Sequence, residues 1–235
     1  MTVKHKGIKW PSPSNIIGDV NDKSQGLMPW VGKSSWAWIQ QECEMKEFSD
    51  GNFYLVSVDD GNKVAFAYKT ISERALDVGS QVHDAVRMYL QAGKEPSDPD
   101  DEVMAAFIAF LEFEKENEMK TEKMEERLFL DNWCMQYDWY GLFKGQPYLI
   151  DFKTSKAFYR EMRIQTAAYR SGLELTGNLV DGHGVIRLDK ATGEPEWKDY
   201  SKFYTQDLNE FMLSKELYFA RHPIIRKQFE KTTPF

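Results

Sequence analysis

Tyr137-Asp138-Trp139-Tyr140-Gly141-Leu142-Phe143-Lys144-Gly145-Gln146-Pro147-Tyr148-Leu149-Ile150-Asp151-Phe152-Lys153-Thr154-Ser155-Lys156 is the stretch on which the reading of this chain turns. Apolar residues fill both halves and Lys144-Gly145-Gln146 interrupts them, which predicts two strands joined by a tight turn, the second from Pro147 to Phe152. Strand side chains alternate, so Asp151 and Lys153, two apart, leave the same face of the sheet. Asp138 stands on the first strand. Two carboxylates on neighbouring strands repel each other unless a cation lies between them. Oxygen donors of this kind favour a hard divalent ion, Mg²⁺ or Mn²⁺. A lysine beside such an ion orients an attacking water or offsets charge on a phosphate. Asp138 and Asp151 are therefore expected as metal ligands, with the backbone carbonyl of Phe152 as a further oxygen donor and Lys153 as a catalytic group.

Outward from this stretch, strands are predicted over Arg127–Leu130 and Trp133–Phe143, and a helix over Arg160–Leu175 that stops near Gly177. On that helix Gln165 and Tyr169 lie at i and i+4 and share a face. Gly184–Leu188 and Glu196–Phe203 flank Lys190-Ala191-Thr192-Gly193 as a hairpin, and a last helix runs from Gln206 to Arg221, closed by Pro223. Upstream, residues 1–14 carry Pro11 and Pro13 without periodicity and are read as an arm. Helices are predicted over Pro29–Phe48, Ile71–Gln91 and Asp100–Lys120. Phe53–Val58 and Lys63–Tyr68 flank Asp59-Asp60-Gly61-Asn62, a hairpin signal. Helices, a meander, a helix, a hairpin and a helix make one α/β domain over 1–235, a mixed sheet flanked by helices.

The chain has 235 residues, 42% hydrophobic and 14% aromatic, enough for one sizeable core. No apolar run reaches the roughly 18 residues needed to span a bilayer, and the N-terminus lacks a signal-peptide core, so a soluble cytoplasmic protein is expected. The net charge of −7 is unfavourable for a nucleic-acid partner. Its distribution is not uniform. Glu95 to Asp131 holds 13 acids and four bases, whereas Lys153 to Arg170 holds five bases and one acid. The basic stretch adjoins Asp151, and Lys156, Arg160 and Arg163 are candidates to track a phosphate backbone.

Asp138, then Ile150-Asp151-Phe152-Lys153-Thr154-Ser155-Lys156, then Gln165-Thr166-Ala167-Ala168-Tyr169 resembles the signature of the PD-(D/E)XK nuclease superfamily, and more narrowly its RecB-like and phage-type exonuclease branch. Gly79-Ser80-Gln81-Val82-His83 resembles that branch's upstream Gly-x-x-x-His element. Trp10-Pro11-Ser12-Pro13-Ser14-Asn15-Ile16-Ile17-Gly18 is similar to the opening of phage members. The sequence departs from the pattern where Met135-Gln136-Tyr137 replace the usual Gly-Thr before the first acid. The resemblance implies a restriction-endonuclease-like fold and a Mg²⁺- or Mn²⁺-dependent deoxyribonuclease, an exonuclease acting in recombination, replication or DNA degradation, in the host cytoplasm if viral. It adds His83 as a metal ligand and Gln165 and Tyr169 as supporting catalytic groups. A further carboxylate is expected at Glu125 or Glu126, and parity with Leu128 and Leu130 selects Glu126. With only Cys43 and Cys134, the four-cysteine iron–sulfur cluster of some relatives is not expected.

Two alternatives accompany this reading. A glycosidase-like acid pair is disfavoured because Lys153 would lower the pKa that a general acid needs raised. A nucleic-acid-binding module that has lost hydrolysis is disfavoured by the joint presence of Asp138, Asp151 and Lys153.

Overall fold

The two apolar strands predicted on either side of Lys144-Gly145-Gln146 lie within a five-stranded mixed sheet in the computed structural model, which describes residues 3–21, 24–49 and 51–230. In chain order the elements are β1 (Val3–His5), β2 (Ile8–Trp10), α1 (Pro13–Val20), α2 (Ser24–Glu42), β3 (Glu44–Phe48), β4 (Gly51–Leu55), α3 (Gly61–Ala92) and α4 (Asp101–Asn117). There follow β5 (Met119–Met124), β6 (Arg127–Phe129), β7 (Cys134–Gln136), β8 (Trp139–Phe143), β9 (Gln146–Lys153), α5 (Arg160–Leu175), β10 (Gly182–Leu188), β11 (Pro195–Asp199), α6 (Tyr204–Arg221) and α7 (Pro223–Glu230). The sheet order is β11–β10–β9–β8–β5, with β9 and β10 parallel and the other neighbours antiparallel. The chain divides into two compact units, Met1–Asn21 with Gly79–Phe235, and Asp22–Val78. No helix of the described residues is long and apolar enough to cross a membrane.

The β8–β9 turn follows from Lys144 and Gly145, whose φ values of 51° and 79° are those of a two-residue hairpin turn matched to strand twist. Parity along β9 then sorts the two faces of the sheet. Leu149 joins Ile164 and Leu173 of α5 in the main core, together with Ile16, Phe211 and Phe219. Phe152, of opposite parity, meets Phe110 of α4 with ring centroids 5.6 Å apart. The sheet is thus covered by α5 on one side and α4 on the other, as mixed sheets with two apolar faces require.

Several expected elements differ. The predicted hairpin around Asp59-Asp60-Gly61-Asn62 is a helix start: Ser57 and Asp60 close on each other by hydrogen bonds of 2.6 and 3.1 Å, and the Val64 N–H donates to the Asp60 carbonyl. Asp, Asn and Gly serve turns and helix N-caps alike, so the segment Lys63–Tyr68 falls inside α3 and not in a strand. The hairpin of this region is instead β3–β4, which shortens the helix predicted over Pro29–Phe48. The helix predicted to Lys120 stops at Glu118, whose φ of 47° turns the chain, and Met119–Met124 becomes the edge strand β5. Of the segment read as an arm, residues 3–14 carry regular structure, since β1 and β2 pair and α1 begins at Pro13 behind the N-cap Ser12; residues 1 and 2 lie outside the described residues. The helix predicted to end at Arg221 does so, but it is not the last: Pro223 opens α7, proline being well suited to a helix's first position. The long strand predicted over Trp133–Phe143 is broken at Tyr137-Asp138.

Candidate functional site

That break places the first acid. The last paired residues of β8 and β9 are Trp139 and Ile150, so one step further along the antiparallel register Asp138 stands across from Asp151. Like charges directly opposite each other destabilise a strand pair, and the surroundings offset them in two ways. Asp138 Oδ2 accepts the Phe152 N–H at 2.7 Å, while its Oδ1 lies 3.3 Å from His83 Nδ1. Asp151 Oδ2 lies 2.5 Å from Lys153 Nζ. The residues two apart on β9 therefore share a face, as alternation requires.

The charge states follow from these pairings. Burial opposes ionisation of Asp138, but the His83 charge and hydrogen bond outweigh it and lower its pKa. The Asp138 carboxylate in turn raises His83 to about 9 against the opposing effect of burial. Asp151 is only 1% exposed. Burial raises its carboxyl pKa, Lys153 pulls it down and Asp138 pushes it up again, for a net rise. Burial alone would lower the Lys153 pKa; the charges of Asp151 and Asp138 reverse that. The centre is a compact alternation of two acids and two cations, of which Lys153 and His83 keep side-chain exposures of 25% and 27%. Solvent thus reaches the centre on its cationic side.

α5 covers the same acids. Gln165 Nε2 donates to the Tyr169 hydroxyl at 2.6 Å, and Tyr169 is held in its protonated form by burial and by the Asp151 charge. On α3, Gly79 lies one turn before His83, and a Cβ built on it would meet Thr154 Oγ1 at 3.5 Å, an ordinary contact. Glycine marks the approach of helix and strand end without being required by it.

Not every expected site residue is here. Glu126 accepts a hydrogen bond from the Tyr137 hydroxyl at 2.8 Å. Glu125 is the acid turned to the centre: its N–H donates to the Asp138 carbonyl, and its carboxyl, raised first by burial, also responds to Asp138 and His83. Parity selected the wrong neighbour because Glu125 has φ 47° and breaks the alternation. Arg87, which the sequence did not single out, lies one turn beyond His83, with Nε 3.4 Å from Glu125 Oε2. Its position at i+4 from His83 was the available signal. Arg163 is committed elsewhere, forming two hydrogen bonds of 3.1 and 2.7 Å to fully buried Asp207 and stacking 3.8 Å from the centre of the Phe203 ring. Arg160 pairs with Glu210 at 2.6 Å. Lys156, the third of these bases, is exposed three residues beyond Lys153.

Three histidines remain besides His83. His183 is wholly buried and kept neutral by desolvation, and His222 pairs with Asp19 at 2.9 Å. His5 stacks on Phe129.

Two facing carboxylates, an imidazole and a nearby third acid are donor types suited to a hard divalent cation. As the side chains stand, His83 and Lys153 supply the compensating charge, and no group of three His, Cys, Asp or Glu among the described residues is arranged to hold a metal. Compared with protein-family models and with curated proteins, the chain matches none.

Proposed function

We propose that this chain is a Mg²⁺- or Mn²⁺-dependent deoxyribonuclease on a restriction-endonuclease-like scaffold, of the phage-type exonuclease kind that its motifs resemble. The observation that carries the reading is the register: Asp138 across from Asp151, with Lys153 paired to the second acid. Two acids buried against each other destabilise the sheet unless they serve a cation or a reaction.

In this reading Asp138, Asp151, His83 and the Phe152 carbonyl would hold the ion, which supplies charge neutralisation at the phosphate and an acidified water. His83 must release its proton and let go of Asp138 to act as a ligand. Lys153, drawn toward Asp151, lies where its ammonium can face a phosphate oxygen or the attacking water. Gln165 fixes the Tyr169 hydroxyl, which stays protonated and so donates to an oxyanion without adding charge. Glu125, held by Arg87, stands as a further acid at the margin.

A second reading, a nucleic-acid-binding module without hydrolysis, is favoured by one observation: each of the two acids already has a protein cation as partner. Incubating the chain with end-labelled linear DNA and a circular control, with Mg²⁺ or Mn²⁺ and then with EDTA, separates the two. Loss of label that needs the ion and vanishes in Asp151→Asn supports the nuclease. Retained binding with intact label under every ion overturns it.

A further inference from the structure

Lysines crowd the β1–β2 hairpin in a way its stability does not call for. Lys4 faces Lys9 directly across the ladder, and both are exposed. Lys6 stands at the tip with φ 48°, followed by Gly7 at 81°. Residues 3–10 contain no acid. A facing pair of like charges costs roughly 0.2–1 kcal/mol, and staggered lysines would guard the two edges equally well.

The opposite face of the hairpin fixes it in place. His5 stacks on Phe129 of β6 at 4.2 Å, and Trp10 meets Phe129 and Phe229 edge-on at 5.2 and 4.8 Å. The Lys9 N–H donates to Gln228 Oε1 at 3.1 Å. With Ile8 and Trp10 packed against the core, the hairpin leaves its three lysines exposed. Two exposed bases lie close in sequence to the residues that hold the hairpin: Arg127, which donates to Gln136 Oε1, two residues before Phe129 on β6, and Lys227 beside Gln228 on α7. β6 also leads back to the acids: Phe129 is four residues beyond Glu125, whose N–H bonds to the Asp138 carbonyl. Four residues of extended chain span at most about 14 Å.

We infer that the outer face of the β1–β2 hairpin, with Arg127, docks the phosphate backbone of a nucleic acid and delivers it to the Asp138–Asp151 centre. A chain of net charge −7 repels a polyanion at long range, so a concentrated basic surface near the acids is what such a substrate requires. The delivery rests on the nuclease reading; the docking does not.

The test uses the full chain and a fluorescent DNA duplex, with Ca²⁺ replacing Mg²⁺ and binding measured across a salt series. Replacing Lys4, Lys6 and Lys9 by glutamine should weaken binding and lower the slope of log affinity against log salt by about 2–3, with arginines at the same positions restoring it. Lys4→Glu should raise the melting temperature, by pairing with Lys9, while weakening DNA binding; a purely structural lysine would not move the two in opposite directions. A glutamine variant with the wild-type slope, in a protein that degrades DNA, overturns the docking surface and leaves the nuclease. A lysine-dependent slope in a protein that never hydrolyses DNA keeps the surface and removes the nuclease. A wild-type chain that does not bind the duplex overturns both.

Discussion

The sheet end at Asp138 and Asp151 and the smaller unit at residues 22–78 dispose of their side chains in opposite ways. At the first, charge is buried: Asp151 is almost fully covered beside Leu149, Ile150 and Phe152. In the second, apolar surface is exposed, with Met28 72%, Trp36 52% and Val58 98% accessible. Exposed apolar residues, taken singly, cost a fold little and are common. Buried charge is expensive and persists only where partners compensate it. The costly arrangement is therefore the one that marks the candidate site.

The strongest way to break this contrast is to neutralise the buried acid. Asp151→Asn and Lys153→Ala should each reduce hydrolysis by about a thousandfold or more. Asp151→Asn should keep or raise the melting temperature without metal, because it relieves the repulsion from Asp138. Val58→Ser in the smaller unit should change neither. Wild-type turnover in Asp151→Asn, or its unfolding, would remove the site assignment.

Arg163→Ala comes next. It strands the fully buried Asp207 carboxylate, a loss of about 3–5 kcal/mol in denaturant unfolding. The salt dependence of DNA binding should not change, since the guanidinium is occupied with Asp207 and the Phe203 ring. A flatter salt slope at unchanged stability would return Arg163 to the phosphate path.

The His83–Asp138 pair has a pH signature. The folded-state pKa of His83, about 9, lies above the ordinary 6.5, so its stabilisation is complete below about pH 6.5 and is lost as pH rises through 9. The upper bound is about 3 kcal/mol. In metal-free buffer, wild type should melt above His83→Gln at pH 6, and the difference should close by pH 10. A constant difference across that range would show that the pair is not ionic.

The smallest effects separate the two regions by glycine. A Cβ on Gly141 would lie 2.2 Å from the Lys120 carbonyl oxygen, where β5 carries its irregularity beside β8, and Gly141→Ala should cost about 1–3 kcal/mol. Gly32, inside α2, has nothing within 4 Å of such an atom, and Gly32→Ala should add up to about 1 kcal/mol. Thermal melts of the two variants should move in opposite directions.

Those same regions mark what could be read before the fold was seen. Apolar runs, the Lys-Gly turn and a glycine stop made β9 and α5 legible and β8 only in its second half, and α5 matches its expected bounds from Arg160 to Leu175. Asp151 and Lys153 followed from the same alternation. Asp59–Asn62 was ambiguous because a tight turn and a helix cap use the same residues. The polar run Met119–Met124 has the composition of a helix end, and pairing with β8 makes it a strand. The identity of the marginal acid depended on a positive φ at Glu125, and the commitment of Arg163 on Asp207, 44 positions away. Neither leaves a local trace in the chain.

The Phe152 amide has a further consequence. Its hydrogen is held by the Asp138 side chain, not by the neighbouring backbone, at the point where β8 has ceased to pair. A main-chain proton at a strand end ordinarily exchanges with solvent as the end frays. Here its exchange is governed by the charge and orientation of one carboxylate. The backbone thus carries a clock for the state of the site, and anything that draws Asp138 away, whether acid or a bound ion, alters its rate without any substrate being present.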